Sequence, residues 1–179
     1  MKKYKFTGET KEIFTLSRFV ILHRICAVSE FGTVKAGDLG GWIEREENLS
    51  HDGLAWVCNN ATVSNNAIVC GNAIVRDNAW VSNNAIVCGN VCVRTNARIC
   101  DNAMVSSTNH ILVIGPIGSR DDFITFYHDK ENDITVRIGC FNGKIDEFLE
   151  KVSHTHGGSK HELTYQTAAE LAKLQIKLR

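Results

Sequence analysis

From residue 55 to residue 105 the apolar and polar positions recur every six residues. Each hexad carries Ala, then any residue, then Val, then a short polar corner ending in Asn. At longer range the chain nearly copies itself. Residues 63–80 read VSNNAIVCGNAIVRDNAW and residues 81–98 read VSNNAIVCGNVCVRTNAR, identical at fourteen of eighteen positions. A fixed short period means stacked, equivalent units rather than a mixture of elements. Three hexads per eighteen-residue coil describe a triangular prism of short parallel strands. The fold class predicted is therefore mainly β, a left-handed parallel β-helix.

The inward positions follow from the period. Val57, Val75, Val93 and Ile111 form one column, Val63, Val81 and Ile99 a second, and Val69, Val87 and Val105 a third. Two places before each sits a small residue, Ala61, Ala67, Ala73, Ala79, Ala85, Ala97 and Ala103, with Val91 the exception. Asn60, Asn78 and Asn96 share one corner, Asn66, Asn84 and Asn102 another, and Asn72 and Asn90 the third. Asn tolerates the left-handed backbone that a sharp corner needs, and stacked amides bond along a column.

Outside the repeat the pattern changes. Residues 1–42 read as a β cap, with strands over 5–7 and 19–27 and turns at Phe31-Gly32 and Gly37-Asp38. Ile43, Leu49 and Ala55 keep the six-residue spacing, so an irregular first coil opens a helix domain over 43–114. From about Asn109 the period fails. Residues 115–179 then read as a small α+β unit. Strands over 123–128 and 134–141 flank a polar turn at 130–133, Ile145, Phe148, Leu149 and Val152 fall at helical spacing up to Gly157-Gly158, and residues 163–178 form a final amphipathic helix.

Composition narrows the partners. Lys plus Arg and Asp plus Glu are both 20 in 179 residues, so the formal net charge is zero. That balance argues against a general nucleic-acid or membrane-surface binder. No apolar run near the N-terminus resembles a signal peptide or membrane span, and seven cysteines is an odd number. A cytoplasmic protein with free thiols, no cofactor and no metal is the expectation.

Candidate chemistry lies on the outward columns and in the C-terminal unit. One face stacks Ile68, Ile86 and Met104 beside Cys70, Cys88 and Ser106. A second stacks Trp56, Ile74 and Cys92 beside Cys58, Arg76 and Arg94, and the third Thr62, Trp80 and Arg98 beside Ser64, Ser82 and Cys100. Apolar stripes on a rigid prism predict a homo-oligomer, a trimer or dimer, with the chain's own helices as the alternative cover. Cys70 and Cys88 read as a structural thiol ladder, and His154, His156 and His161 as a polar helix terminus. In the C-terminal unit, Ser119 and Arg120 follow Gly118 in a turn able to offer N–H groups, a hydroxyl and a guanidinium to an anion. Tyr127 is a candidate for stacking, and Lys144 opens a helix whose N-terminus adds positive field. An Arg120 simply paired with Asp121 or Asp122 is the competing reading.

The segment GDLGGWIE..ENLS at 37–50, the NAxV hexads, and GSR…TFY…GCFNG…EF…THG at 118–157 together resemble a group of bacterial and phage or prophage proteins. These belong to the left-handed β-helix, hexapeptide-repeat superfamily. The resemblance implies a cytoplasmic protein, often of mobile-element origin, with no established enzymatic role. It also implies kinship with acyl-CoA-dependent acyltransferases, whose catalytic His works at a coil face between subunits. Residues 57–105 hold no His, and His51 and His110 lie at the two ends of the coils. The expectation is thus a non-enzymatic binder that sequesters a small anionic ligand, an anti-defence role if the ligand is a nucleotide-derived signal. A cyclic nucleotide and an ADP-ribose derivative fit that description. Ser119, Arg120, Tyr127, Lys144 and His156 are its candidate contacts at the cap, and Arg76, Arg94 and Arg98 between prisms. The alternatives are an acyltransferase using His51 or His110, and a structural or protein-binding scaffold.

Overall fold

The computed structural model describes residues 2–15 and 18–178. Its centre is a parallel β-solenoid of about four coils. Nine two-residue strands form its three faces. β4 (Trp56–Val57), β7 (Ile74–Val75) and β10 (Cys92–Val93) make one face. β6 (Ile68–Val69), β9 (Ile86–Val87) and β12 (Met104–Val105) make another. β5 (Thr62–Val63), β8 (Trp80–Val81) and β11 (Arg98–Ile99) make the third, which β1 (Tyr4–Phe14), β2 (Phe19–Ala27) and β3 (Leu39–Ile43) extend into a six-stranded sheet. Between regular coils every residue pairs with the one eighteen further on, as Trp80 does with Arg98. The first coil is two residues longer, because Ile43 pairs with Val63 and Leu49 with Val69. Its irregularity, and the inward role of Ile43 and Leu49, agree with the spacing.

All three columns are buried, and the alanines two places before them are at most 1% exposed. The corners correct one expectation. The left-handed backbone lies one residue before each Asn, at Asn59, Asn65, Asp77, Asn83, Thr95 and Asp101, with Gly71 and Gly89 at the third corner. Two polar ladders therefore run along a corner. Asn66 Nδ2 donates to Asn84 Oδ1 at 3.1 Å, and Asn65 Nδ2 to Asn83 Oδ1 also at 3.1 Å.

The ends of the stack are capped by different means, as exposed strand edges require. At the first coil Lys3 Nζ donates to the carbonyl of Ala55 at 2.7 Å, and the Tyr4 hydroxyl to that of Leu49 at 2.9 Å. At the last coil a four-stranded antiparallel sheet lies across the edge. It runs β13 (Ile111–Ile117), β14 (Asp122–His128), β15 (Ile134–Ile138) and β16 (Phe141–Lys144). Thr125 Oγ1 accepts from the Arg98 amide at 3.1 Å, and the amide of Lys130 donates to the Asn102 carbonyl at 2.9 Å.

Helices α1 (Ile145–His156) and α2 (Lys160–Gln175) pack on that sheet around Phe126, Val136, Phe148 and Ala169. Three strands differ from the sequence reading, the first being β1, which runs to Phe14 where a strand over 5–7 is expected. β13 runs across the boundary placed at residue 114, and the strand read over 134–141 breaks at Gly139, whose φ is +52°. No helix among the described residues is long and apolar enough to cross a membrane.

Candidate functional site

The β1–β2 hairpin folds back over the six-stranded sheet's solenoid face. Val20, Leu22 and Ile13 pack on Trp42, the outward residue that begins the column Trp42, Thr62, Trp80, Arg98. Arg18, at the hairpin's tip, donates to Glu44 Oε1 at 2.7 Å and to Asn65 Oδ1 at 2.8 Å, which fastens the tip to a solenoid corner. Burial alone raises the Glu44 carboxyl, but Arg18 and the Asn65 amide outweigh it and hold the group below the usual carboxylate range.

Beyond the tip the face stays open until the C-terminal sheet closes it. Asn142 donates to Asp101 Oδ2 there, while Asn83 Nδ2 donates to Asp101 Oδ1 at 2.6 Å. Between hairpin and sheet lies a cavity of about 310 Å³. Its floor is Trp80, Ser82, Arg98 and Cys100, its near wall Phe14 and Arg18, and its far wall Arg137 and Asn142. Three arginines from three distant segments thus face one space.

Their charges are not equivalent. Arg18 is ion-paired with Glu44. Arg137 donates to the Phe141 carbonyl at 3.3 Å, and neither it nor Arg98 has a carboxylate partner among the described residues. Trp80 is half-buried, and its indole N–H is buried without a hydrogen-bond partner, so packing alone holds the ring. Cys100 lies 3.4 Å from the Tyr127 hydroxyl. Burial pushes its thiol upward, against the smaller opposing effect of that hydroxyl, and a protonated thiol is a poor nucleophile. No histidine lines the cavity.

Of the residues expected from sequence, Arg98 lies in this cavity, and Arg76 and Arg94 line a broader groove of about 720 Å³ on the β4–β7–β10 face. There Arg76 pairs with Asp77 at 3.2 Å. The expected cap cluster does not assemble. Lys144 is not at an anion site: it ends β16 with its ammonium 2.6 Å from Asp129, 2.7 Å from Glu131 and 3.7 Å from Asp133. Tyr127 is fully buried against Cys100 and Asn142, out of reach of a ligand. Ser119 and His156 both approach Tyr165, whose hydroxyl packs against Gly118 where no Cβ would fit. Arg120 is exposed beside them and does not line the cavity.

The two candidate bases have structural partners. His51 Nδ1 accepts from the Lys3 amide at 3.1 Å, so its Nε2–H donates to Glu46 at 2.7 Å, and the ring stacks on Tyr4. The His110 ring lies tilted against that of buried His128, with centroids 4.8 Å apart. Among the described residues no group of three or more His, Cys, Asp or Glu is placed to hold a metal.

Residues 55–71 match the YdcK beta solenoid repeat. That match covers one coil and agrees with the coils described above. The chain folds as a β-helix of hexapeptide-repeat coils, similar in its repeat to that family. A stretch of 74 residues, 38% of the chain, is 34% identical to the uncharacterized acetyltransferase YdcK of Escherichia coli (strain K12). It spans 23% of that protein's length, less than a quarter of the relative.

The left-handed β-helix supplies the cavity floor as one outward column, and segments outside the repeat supply its walls. Sequence reasoning named Trp80 and Arg98 as outward neighbours but missed Phe14, Arg18, Arg137 and Asn142. A usable signal was present. Trp80 and Arg98 occupy one of the four positions at which the two eighteen-residue copies differ.

Proposed function

We propose that this chain is a non-enzymatic binding protein that holds a small anionic ligand and returns it unchanged. The observation that carries the reading is the pair Arg98 and Arg137, two guanidiniums without carboxylate partners among the described residues that face one cavity beside Trp80. Arg137 is half-buried and Arg98 exposed, and guanidiniums that share one cavity without counter-ions favour an anionic occupant. The cavity has no histidine to act as general base, and burial disfavours the Cys100 thiolate. In a cytoplasmic protein of phage or prophage type, capture of a nucleotide-derived ligand would deplete a host signal. We further take the working form to be a dimer or trimer, since Ile68 and Ile74 remain exposed on the two solenoid faces that the hairpin does not cover.

Acetyl transfer is the second reading, favoured by the name of the E. coli relative. One experiment separates the two. The purified protein is sized by light scattering, heat-denatured, and the released small molecules are identified by mass spectrometry. Intact ligand that the refolded or fresh protein recaptures supports sequestration. Acetyl-CoA turnover that His51→Ala or His110→Ala abolishes would replace it with the enzyme.

A further inference from the structure

The cavity's shape and charge narrow the ligand class, in an argument that rests on the binding reading above. We propose that the site takes a phosphomonoester with a single flat ring, a mononucleotide-sized molecule. Its ring lies on Trp80 beneath Phe14, and its phosphate lies between Arg98 and Arg137.

Three observations lead there. Trp80 and Arg98 are paired residues on adjacent parallel strands, so the indole and the guanidinium rise from the same face about 5 Å apart at their bases. A ligand resting on the ring therefore meets the Arg98 charge within one short linker, the spacing of a base and its sugar phosphate. Phe14, 64% exposed at the hairpin tip, presents a second aromatic surface at the mouth of the same cavity. Exposed aromatic faces are the usual platforms for a base.

Charge sets the second limit. Arg18 is neutralised by Glu44, which leaves Arg98, Arg137 and Asp101 on the lining, two positive charges beside one carboxylate that Asn83 and Asn142 already hold. A terminal phosphate monoester carries about −1.5 to −2 near neutral pH and accepts bidentate bonds from guanidinium groups. Ser82, next outward on the floor strand's side, adds a hydroxyl to the same surface. Volume sets the third. At about 310 Å³ the cavity stands at the low end of small-molecule sites, which run from about 300 to 1,000 Å³. One ring, one sugar and one phosphate suit that space, and an ADP-ribose or a cyclic dinucleotide exceeds it.

The test is calorimetric titration of the full chain with AMP, ribose 5-phosphate, adenosine, inorganic phosphate and ADP-ribose. AMP is expected to bind at least tenfold more tightly than each of the other four. Arg98→Gln and Arg137→Gln should each weaken AMP at least tenfold and flatten its salt dependence. Trp80→Leu should bring AMP down to the level of ribose 5-phosphate, while Trp80→Phe retains the preference and controls for folding. Ribose 5-phosphate binding as tightly as AMP, or an Arg98→Gln protein that binds AMP normally, would overturn the proposal. If ADP-ribose binds tightest and is recovered intact, this ligand class fails and the binding reading survives. If no phosphate compound binds and acetyl-CoA is consumed, both fail.

Discussion

The coils and the caps of this molecule are built on opposite principles. In the coils a residue's surroundings follow from its place in an eighteen-residue cycle, so Val63, Val81 and Ile99 share one environment repeated. In the caps each residue has a particular partner. Lys144 answers three carboxylates, and Lys3 reaches the carbonyls of one coil edge. Repetition distributes stability over many equivalent contacts, whereas the caps concentrate it in a few charged groups. The candidate site forms at the seam, with a floor from the repeat and walls from the caps.

Removing the Lys144 ammonium should cost most. Burial raises the Asp129 carboxyl, but Lys144, Thr135 and the amides of Asp133 and Glu131 outweigh it and hold it below its usual range. The Asp129 side chain is 5% exposed. Lys144→Met leaves that carboxylate beside Glu131 and Asp133 with only Thr135 and backbone amides to bond it, and removing one partner of a buried ion pair costs about 3 kcal/mol. Urea unfolding at neutral pH measures it. An unchanged midpoint would mean that the cap does not depend on single ions as argued. A depressed carboxylate pKa stabilises above the unfolded value and loses that contribution as pH falls. The variant should therefore recover part of its deficit in acid, where Asp129 is neutral.

Within the repeat, the sharper contrast is between the two sides of a strand. Val81 is fully buried between Val63 and Ile99, while Ile74 is 37% exposed on another face. Val81→Ala should cost about 2 kcal/mol through lost transfer energy and an unfilled space. Ile74→Ala should cost about 0.5 kcal/mol or less. Equal losses in thermal unfolding would place Ile74 under a partner subunit, and would turn the exposed stripe into an interface.

The same contrast explains what was legible in the sequence. Columns, alanine shelves and the irregularity of the first coil could be read from period alone, because a solenoid makes sequence distance and spatial distance the same quantity. The corner was read one residue late. Asn recurs visibly at its second position, but the backbone strain falls on the first, where Gly71 and Gly89 stand in for Asn and Asp. The site walls were illegible for another reason. Phe14 and Arg137 come within one cavity only because a hairpin folds back and a sheet lies across the stack. Lys144 misled the reading because a cation before a helix looks like an anion site until the acidic turn at 129–133 is seen folded onto it.

The other cap offers the smallest effect, in its dependence on pH. Burial lowers Lys3 to about 8 from an ordinary value of 10.5, with Asp52 acting weakly against the shift. Between those values the unfolded chain keeps a proton that the folded chain has released. Stability contributed by Lys3 therefore rises with pH across that window, and below about 8 the folded protein carries a buried charge. From pH 7 to pH 9 the gain is about 1 kcal/mol. Other groups titrate nearby. Cys70, pushed up to about 12 by burial and by Cys88, and Tyr4, raised by burial and by Glu46, lose stability as pH climbs past their unfolded values. Both remain in a Lys3→Met variant, so the difference between the two proteins isolates the lysine. That difference, from urea midpoints at pH 7, 8 and 9, should move in favour of the native chain by about 1 kcal/mol. A flat difference would mean that the Lys3 ammonium stays protonated on the Ala55 carbonyl. The first-coil cap would then be a charge-assisted bond as firm as those around Lys144, and the contrast between the two caps would disappear.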